Sequence, residues 1–317
     1  MGNCKQKHQT LHSRDFRTEC GRNGGAAMAY YKPDRIAEIT LENGVKKAHN
    51  SAMNVMILGF LAGAFIALGF LLDIRVIAGA SEAWGGIAGF IGAAIFPVGL
   101  ILVLLAGGEL LTGNMMAVSL ARFKKRISTK EMVRNLALVT VSNMAGALFV
   151  AYFFGHVTGL TGSGVYLEKL VAMAGHKIDD SFLQAFLSGI GCNWLVALAV
   201  WLSYGSDQMS GKILGIWFPT MAFVAIGFQH VVANMFLIPA AIFEGYYSWG
   251  EYLVNFIPVW LGNFVGGALF VGAAYGTVYL KKDDKVEVML RGEQDAALPS
   301  APTTGTAQQV HSAQNVS

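Results

Sequence analysis

Charge is scarce in this sequence: 14% of its 317 residues are Asp, Glu, Lys or Arg, while 54% are hydrophobic. That balance excludes an ordinary soluble surface, and no nucleic-acid partner is expected. The three cysteines, Cys4, Cys20 and Cys192, lack the spacing of metal ligands or of a redox pair. Neither a disulfide framework nor a metal or other cofactor is therefore expected. Neither His-Glu-x-x-His nor Gly-x-Ser-x-Gly occurs, and a single histidine, His230, falls inside the expected spans. An intramembrane enzyme and an ammonium-type channel with paired histidines both lose support from that shortage. The polar, basic stretch 1–27 has no apolar core of signal-peptide kind, and is expected to be a disordered, dispensable extension. Residues 281–317, rich in Ala, Ser, Thr and Gln, are expected to be a disordered cytoplasmic tail.

What the sequence does have is long apolar runs. Ile213–Phe243 is 31 residues without a charge. As one helix it would reach roughly 46 Å, against a hydrocarbon core of about 30 Å. The run must break, and the break is expected at Gly227–Met235, where Gln229, His230 and Asn234 cluster. Polar groups at that depth are tolerated where they line a protein-enclosed cavity. A second run, Gly86–Leu120, must break for the same reason at Ala106–Asn114. Gly108 and Gly113 are its turn-permitting residues, and Glu109 and Asn114 its polar groups. Unbroken spans are expected at 52–72, 135–154, 181–204 and 255–279, which makes six spans within a transmembrane domain at 52–280. A cytoplasmic helix at 28–51 precedes them. Asp73 is assigned to the turn after the first span, and 155–180 to a polar connection. Lys and Arg concentrate in the two tails, in the loop Arg122–Arg134 and around Lys212. By the positive-inside rule both termini are cytoplasmic and the number of spans is even.

The two breaks belong to a repeat. Glu109, Asn114 and Met115 stand 120 residues before Gln229, Asn234 and Met235, and Asn135 and Asn143 stand 120 before Asn255 and Asn263. Phe96-Pro97 parallels Phe218-Pro219, and Gly-Ala-Leu-Phe-Val occurs at 146–150 and again at 267–271. A constant offset over several polar positions marks an internal repeat. Each half holds three spans, an odd number, so the copies cross the membrane in opposite senses. The expected fold is an all-α integral membrane protein of six transmembrane helices, built as a 3+3 inverted repeat with a broken helix in each half and the site between them. Aquaporins use a similar plan, although their Asn-Pro-Ala signature is replaced by Asn114-Met115-Met116 and Asn234-Met235-Phe236. Half-helix N-termini at the midplane supply partial positive charge, which suits an anion.

Three stretches, Gly108-Glu109-Leu110-Leu111-Thr112-Gly113-Asn114, Gly191-Cys192-Asn193-Trp194-Leu195-Val196 and Gly227-Phe228-Gln229-His230-Val231-Val232-Ala233-Asn234-Met235, closely resemble the signatures of the formate/nitrite transporter family. The resemblance extends over about Pro33–Leu280, and within the family the chain looks most like bacterial formate transporters. It implies a homopentamer in the cell membrane, with an aquaporin-like protomer carrying its own pore for formate, nitrite or hydrosulfide. It also implies His230 as the central histidine with Thr112 facing it. Phe96, Leu100, Leu110 and Phe223 would form apolar constrictions, with Asn193 and Asn263 as polar neighbours and Lys177 as the vestibule lysine. Gln229 stands where many members have Glu, which leaves Glu109 as the nearest acidic candidate for a proton relay. Asn114 and Asn234 are expected to tie the broken backbone together. The expected activity is movement of formate as net neutral acid, its proton coming from bulk water or through His230, whose side-chain type titrates near pH 6.5. A nitrite or hydrosulfide transporter is the alternative.

Overall fold

An apolar run longer than a bilayer is thick has to interrupt its helix, and both long runs do so. The structure, a computed structural model, describes residues 30–280; the readings of 1–27 and 281–317 lie outside the described residues. In chain order the helices are α1 (Pro33–His49), α2 (Ala52–Ile77), α3 (Gly86–Gly107), α4 (Leu111–Phe123) and α5 (Thr129–Val157). They continue with α6 (Gly164–Ile178), α7 (Phe182–Ser203), α8 (Met209–Ile226), α9 (Val231–Phe243) and α10 (Trp249–Tyr279). Six of them, α2, α3, α5, α7, α8 and α10, are long and apolar enough to cross a membrane. The half-helices α4 and α9 have 13 residues each, about 20 Å, and complete the broken spans instead of making new ones.

The order is five elements repeated once: α1 corresponds to α6, α2 to α7, the pair α3–α4 to α8–α9, and α5 to α10. The main packing follows the same rule, with α2 laid along α5 and α7 along α10. The interior carries asparagines, among them Asn114, Asn135, Asn143, Asn193, Asn234 and Asn263, while Ile57, Phe90, Leu187 and Val254 point outward. That is the distribution of a chain whose solvent is hydrocarbon.

Both breaks are made by a glycine in the left-handed region, Gly107 (φ 105°) and Gly227 (φ 89°), again 120 residues apart. Left-handed backbone costs an L side chain about 1–2 kcal/mol and costs glycine nothing. Of the two glycines expected at the first break, Gly108 lies in it, directly after α3, and Gly113 does not. Gly108 is extended (φ −166°), a conformation open to any residue, and Gly113 is buried inside α4.

Other boundaries also differ from the sequence reading. α5, α7 and α10 begin with capping boxes, Ser128 with Glu131, Ser181 with Gln184 and Ser248 with Glu251. These start α5 and α10 six residues before the expected spans, in their polar first turns. The polar connection 155–180 is largely α6, held by its buried Leu170 and Ala174. α5 runs on to Val157 and so includes a second histidine, His156, half-exposed and 3.3 Å from Glu244. Asp73 is not in a turn: it lies on α2, buried, one turn before the helix ends.

Candidate functional site

A helix that starts inside an apolar interior leaves N–H groups without partners, and here asparagines supply them. At α4 the Leu111 N–H donates to Asn143 Oδ1 (2.9 Å), whose Nδ2 donates to the carbonyls of Gly59 (2.8 Å) and Glu109 (2.9 Å). At α9 the Val231 N–H donates to Asn263 Oδ1 (2.9 Å), whose Nδ2 donates to the carbonyls of Gly189 (2.8 Å) and Gln229 (3.0 Å). Asn114 Nδ2 donates to Glu109 Oε2 (2.7 Å) and Asn135 Oδ1 (3.0 Å), and Asn234 Nδ2 to Gln229 Oε1 (2.7 Å) and Asn255 Oδ1 (3.0 Å). Asn135 and Asn255 are in turn anchored on the carbonyls of Lys47 (2.9 Å) and Lys177 (2.7 Å). Each of these bonds has its counterpart in the other half. Asn263 is thus a strut of the break, and Asn193 ties the carbonyls of Thr112 (3.2 Å) and Asn263 (2.7 Å). Neither lines the cavities described below.

The two half-helix starts meet at His230 and Thr112, where Nε2 and Oγ1 are 3.0 Å apart. His230 is also the N-cap of α9: its Nδ1 accepts the Ala233 N–H at 3.1 Å. A ring nitrogen that accepts carries no proton, so this geometry fits the neutral tautomer with its proton on Nε2, donating to Thr112 Oγ1. A second proton, on Nδ1, would face the Ala233 N–H and undo the cap.

Phe223 leans on the imidazole with ring centroids 5.7 Å apart, and Phe96 meets Phe223 edge to face at 5.8 Å. Phe70 closes on Phe96 at 5.6 Å. On one side of this aromatic gate lies a cavity of about 390 Å³, lined by Asp73, His176, Lys177, Asp180 and His230 among others. On the other side, a gap bounded by Phe96, Leu100, Leu110, Phe223 and His230 is too narrow for water. Past Leu110 a space of about 20 Å³ opens beside Lys47 and Asn114, enough for one water.

The two mouths are charged differently. Lys47 Nζ is paired with Glu109 Oε2 at 2.8 Å. At the other mouth Lys177 Nζ donates to the Gly227 carbonyl (2.8 Å), while Gln229 Nε2 donates to Asp180 Oδ2 (2.5 Å) and to the Lys177 carbonyl (3.2 Å). Burial pulls the Lys177 ammonium below the ordinary lysine value, against the opposing field of Asp180. Lys177 is therefore a helical, cavity-lining cation and not a loop charge. Glu109 does not share the large cavity with His230. Asp73 and Asp180 do, and neither was singled out from the sequence. The repeat carried a signal for Asp180: Lys177-Ile178-Asp179-Asp180-Ser181 follows Lys47-Ala48-His49-Asn50-Ser51 at an offset of 130. Among the described residues no three His, Cys, Asp or Glu side chains come together as a metal site.

Comparison with known proteins identifies the family. A family model described as formate/nitrite transporter matches residues 34–277. The uncharacterized transporter YrhG of Bacillus subtilis is 60% identical over 256 residues, covering 81% of this chain and 96% of the relative. The formate channel BtFdhC of Bacillus thuringiensis is 52% identical over 260 residues, covering 82% of this chain and 100% of the relative. A solved structure titled as a pentameric formate channel with formate bound superposes with a TM-score of 0.65 at 33% identity, covering 73% of this chain and 98% of its own. The chain, an all-α multi-pass membrane protein with an inverted repeat and two broken helices, belongs to the formate/nitrite transporter family.

Proposed function

We propose that this chain is a formate channel that carries its substrate across the membrane as net neutral acid. The observation that carries the reading is the central stretch of the path. Between two polar mouths, Phe96, Phe223, Leu100, Leu110 and His230 leave no room for water. An ion passing there would have to shed its hydration shell with no charge to replace it, at a cost of several kcal/mol or more, whereas a small neutral acid loses far less. Lys177 draws the anion into the large cavity, and the half-helix starts add to that field. Desolvation beyond that point favours the neutral acid. Of the two proton sources, bulk water fits better than His230, because His230 Nδ1 is committed to the Ala233 N–H (3.1 Å). His230 and Thr112 act as a neutral hydrogen-bonding pair that steadies the acid at the midpoint. Formate is the named substrate of the relative at 52% identity and of the superposed structure. By the same likeness the assembly is a homopentamer in the cell membrane. The basic loop Arg122–Arg134 and the Lys47 mouth face the cytoplasm, as do both termini.

The test is competitive uptake by the purified protein in vesicles, with formate, nitrite, acetate, lactate and hydrosulfide as competitors. Formate flux that acetate and lactate inhibit weakly is the expected result. Nitrite or hydrosulfide flux exceeding formate would transfer the assignment to the other substrates of the family, and no flux of any of them would overturn it.

A further inference from the structure

Asp73 takes no part in the hydrogen bonds of the breaks or in the aromatic gate. It is 2% exposed, it lines the large cavity shared by Lys177 and His230, and its Oδ1 has no hydrogen-bond partner among the described residues. Its berth is shaped by a neighbour: a Cβ on Gly92 of α3 would stand 2.1 Å from that oxygen, so a side chain at position 92 would make the carboxyl turn from its present place. A buried carboxyl without a partner is expensive, and its place beside the large cavity calls for a use.

Its charged surroundings are few. α3 and α9 contain no charged residue. From α6 come Lys169, whose charge acts on Asp73, and the cavity-lining His176 and Lys177, with Asp180 just beyond. Arg75 on the same helix is turned away, onto the Leu160 carbonyl (3.1 Å) and over the Tyr166 ring (3.4 Å). His156 of α5 is engaged with Glu244 at 3.3 Å. Asp73 is thus a carboxyl free to meet a second carboxyl arriving in the cavity.

We propose that Asp73 is a proton-exchange residue for the carried acid, sharing one proton with the substrate carboxylate in the cavity ahead of the Phe96–Phe223 gate. The inference rests on the neutral-acid reading above. Two carboxyl groups in contact, one of them buried and unpartnered, cannot both stay ionised, so the pair holds one proton between them. In the exchange the Asp73 O–H breaks as an O–H forms on the substrate; formic acid moves on through the gate, and Asp73 regains a proton from water entering the cavity, the hydroxide left behind returning to the bulk.

The full-length chain carrying Asp73→Asn, reconstituted in vesicles, tests this. At acid external pH, where bulk water already supplies the neutral acid, its formate uptake should stay within about twofold of wild type. Near neutral pH it should fall by at least about tenfold, the low end of what a positioned proton donor contributes, so the pH profile steepens. Asp73→Glu, which keeps a carboxyl, should restore the wild-type profile in part. An Asp73→Asn profile parallel to wild type overturns the inference. Should Asp73→Asn fail to assemble, the wild-type protein decides: heavy water should slow uptake near neutral pH, and equal uptake in both solvents overturns the proposal. Wild-type vesicles that carry no formate at any pH would instead remove the functional reading, and this inference with it.

Discussion

At the scale of single residues, the path is shaped by which polar atoms are already engaged. Gln229 is the clearest case. Its amide nitrogen donates to Asp180 Oδ2 (2.5 Å) while its amide oxygen accepts from Asn234 (2.7 Å) and Asn255 (2.9 Å). A carboxylate at that position would keep the second role and lose the first, setting two acceptors face to face. Gln229→Glu should therefore destabilise the assembly by about 1–3 kcal/mol and depress uptake, and Asp180→Asn in the same chain should restore both. Loss that the double variant does not repair would contradict this. Lys177 yields a pH prediction. Because burial lowers its value, its positive charge is present at acid pH and is lost, as pH rises, sooner than for an exposed lysine. Lys177→Ala should raise the KM for formate at neutral pH, with the gap to wild type closing on the alkaline side; a gap that persists there would mean the lysine acts by shape. For the gate, replacing Phe223 and Leu110 together by Ala should let chloride or nitrate leak through, and unchanged selectivity would remove these two residues from the constriction.

At the scale of elements, the breaks are held by side chains and not by the half-helices themselves. Asn143 and Asn263 each satisfy one N–H and two carbonyls across the junction of three helices. Removing either leaves buried groups unpaired at about 1–3 kcal/mol apiece. Asn143→Ala and Asn263→Ala should lower the thermal stability of the purified protein by similar amounts, since their bonds match. A large effect from one and none from the other would break the equivalence of the halves. The breaks were legible in the sequence because run length and clustered polar residues follow directly from bilayer thickness. Their fine structure was not: Gly107 outranks Gly108 through a backbone angle that no residue pattern encodes. The helix α6 was hidden because its charges dominate the reading of 155–180, although Leu170 and Ala174 lie on one face. Asp73 was misassigned for a related reason, since a carboxylate near the end of an apolar run reads as the start of a loop unless a glycine across the interface makes room for it.

At the scale of the molecule, the constant offset of 120 residues made the inverted repeat visible before any contact was known, and the matched hydrogen bonds are its physical content. The symmetry is broken where it matters for transport. One mouth neutralises its lysine with Glu109, and the other leaves Lys177 on a carbonyl with two aspartates in the cavity. The sequence showed part of that asymmetry, Glu109 against Gln229 and Asn50 against Asp180, but not that Asp73 and Asp180 converge with Lys177 in one cavity. The central claim, that a dry constriction between charged mouths passes only the neutral acid, concerns the whole path. It is tested most directly by measuring formate and proton entry together in wild-type vesicles while a potassium gradient sets the membrane potential. The account predicts about one proton with each formate, by simple charge balance, and an uptake rate that does not change with the sign of the potential. Formate entry without accompanying protons, driven faster by an inside-positive potential, would contradict it.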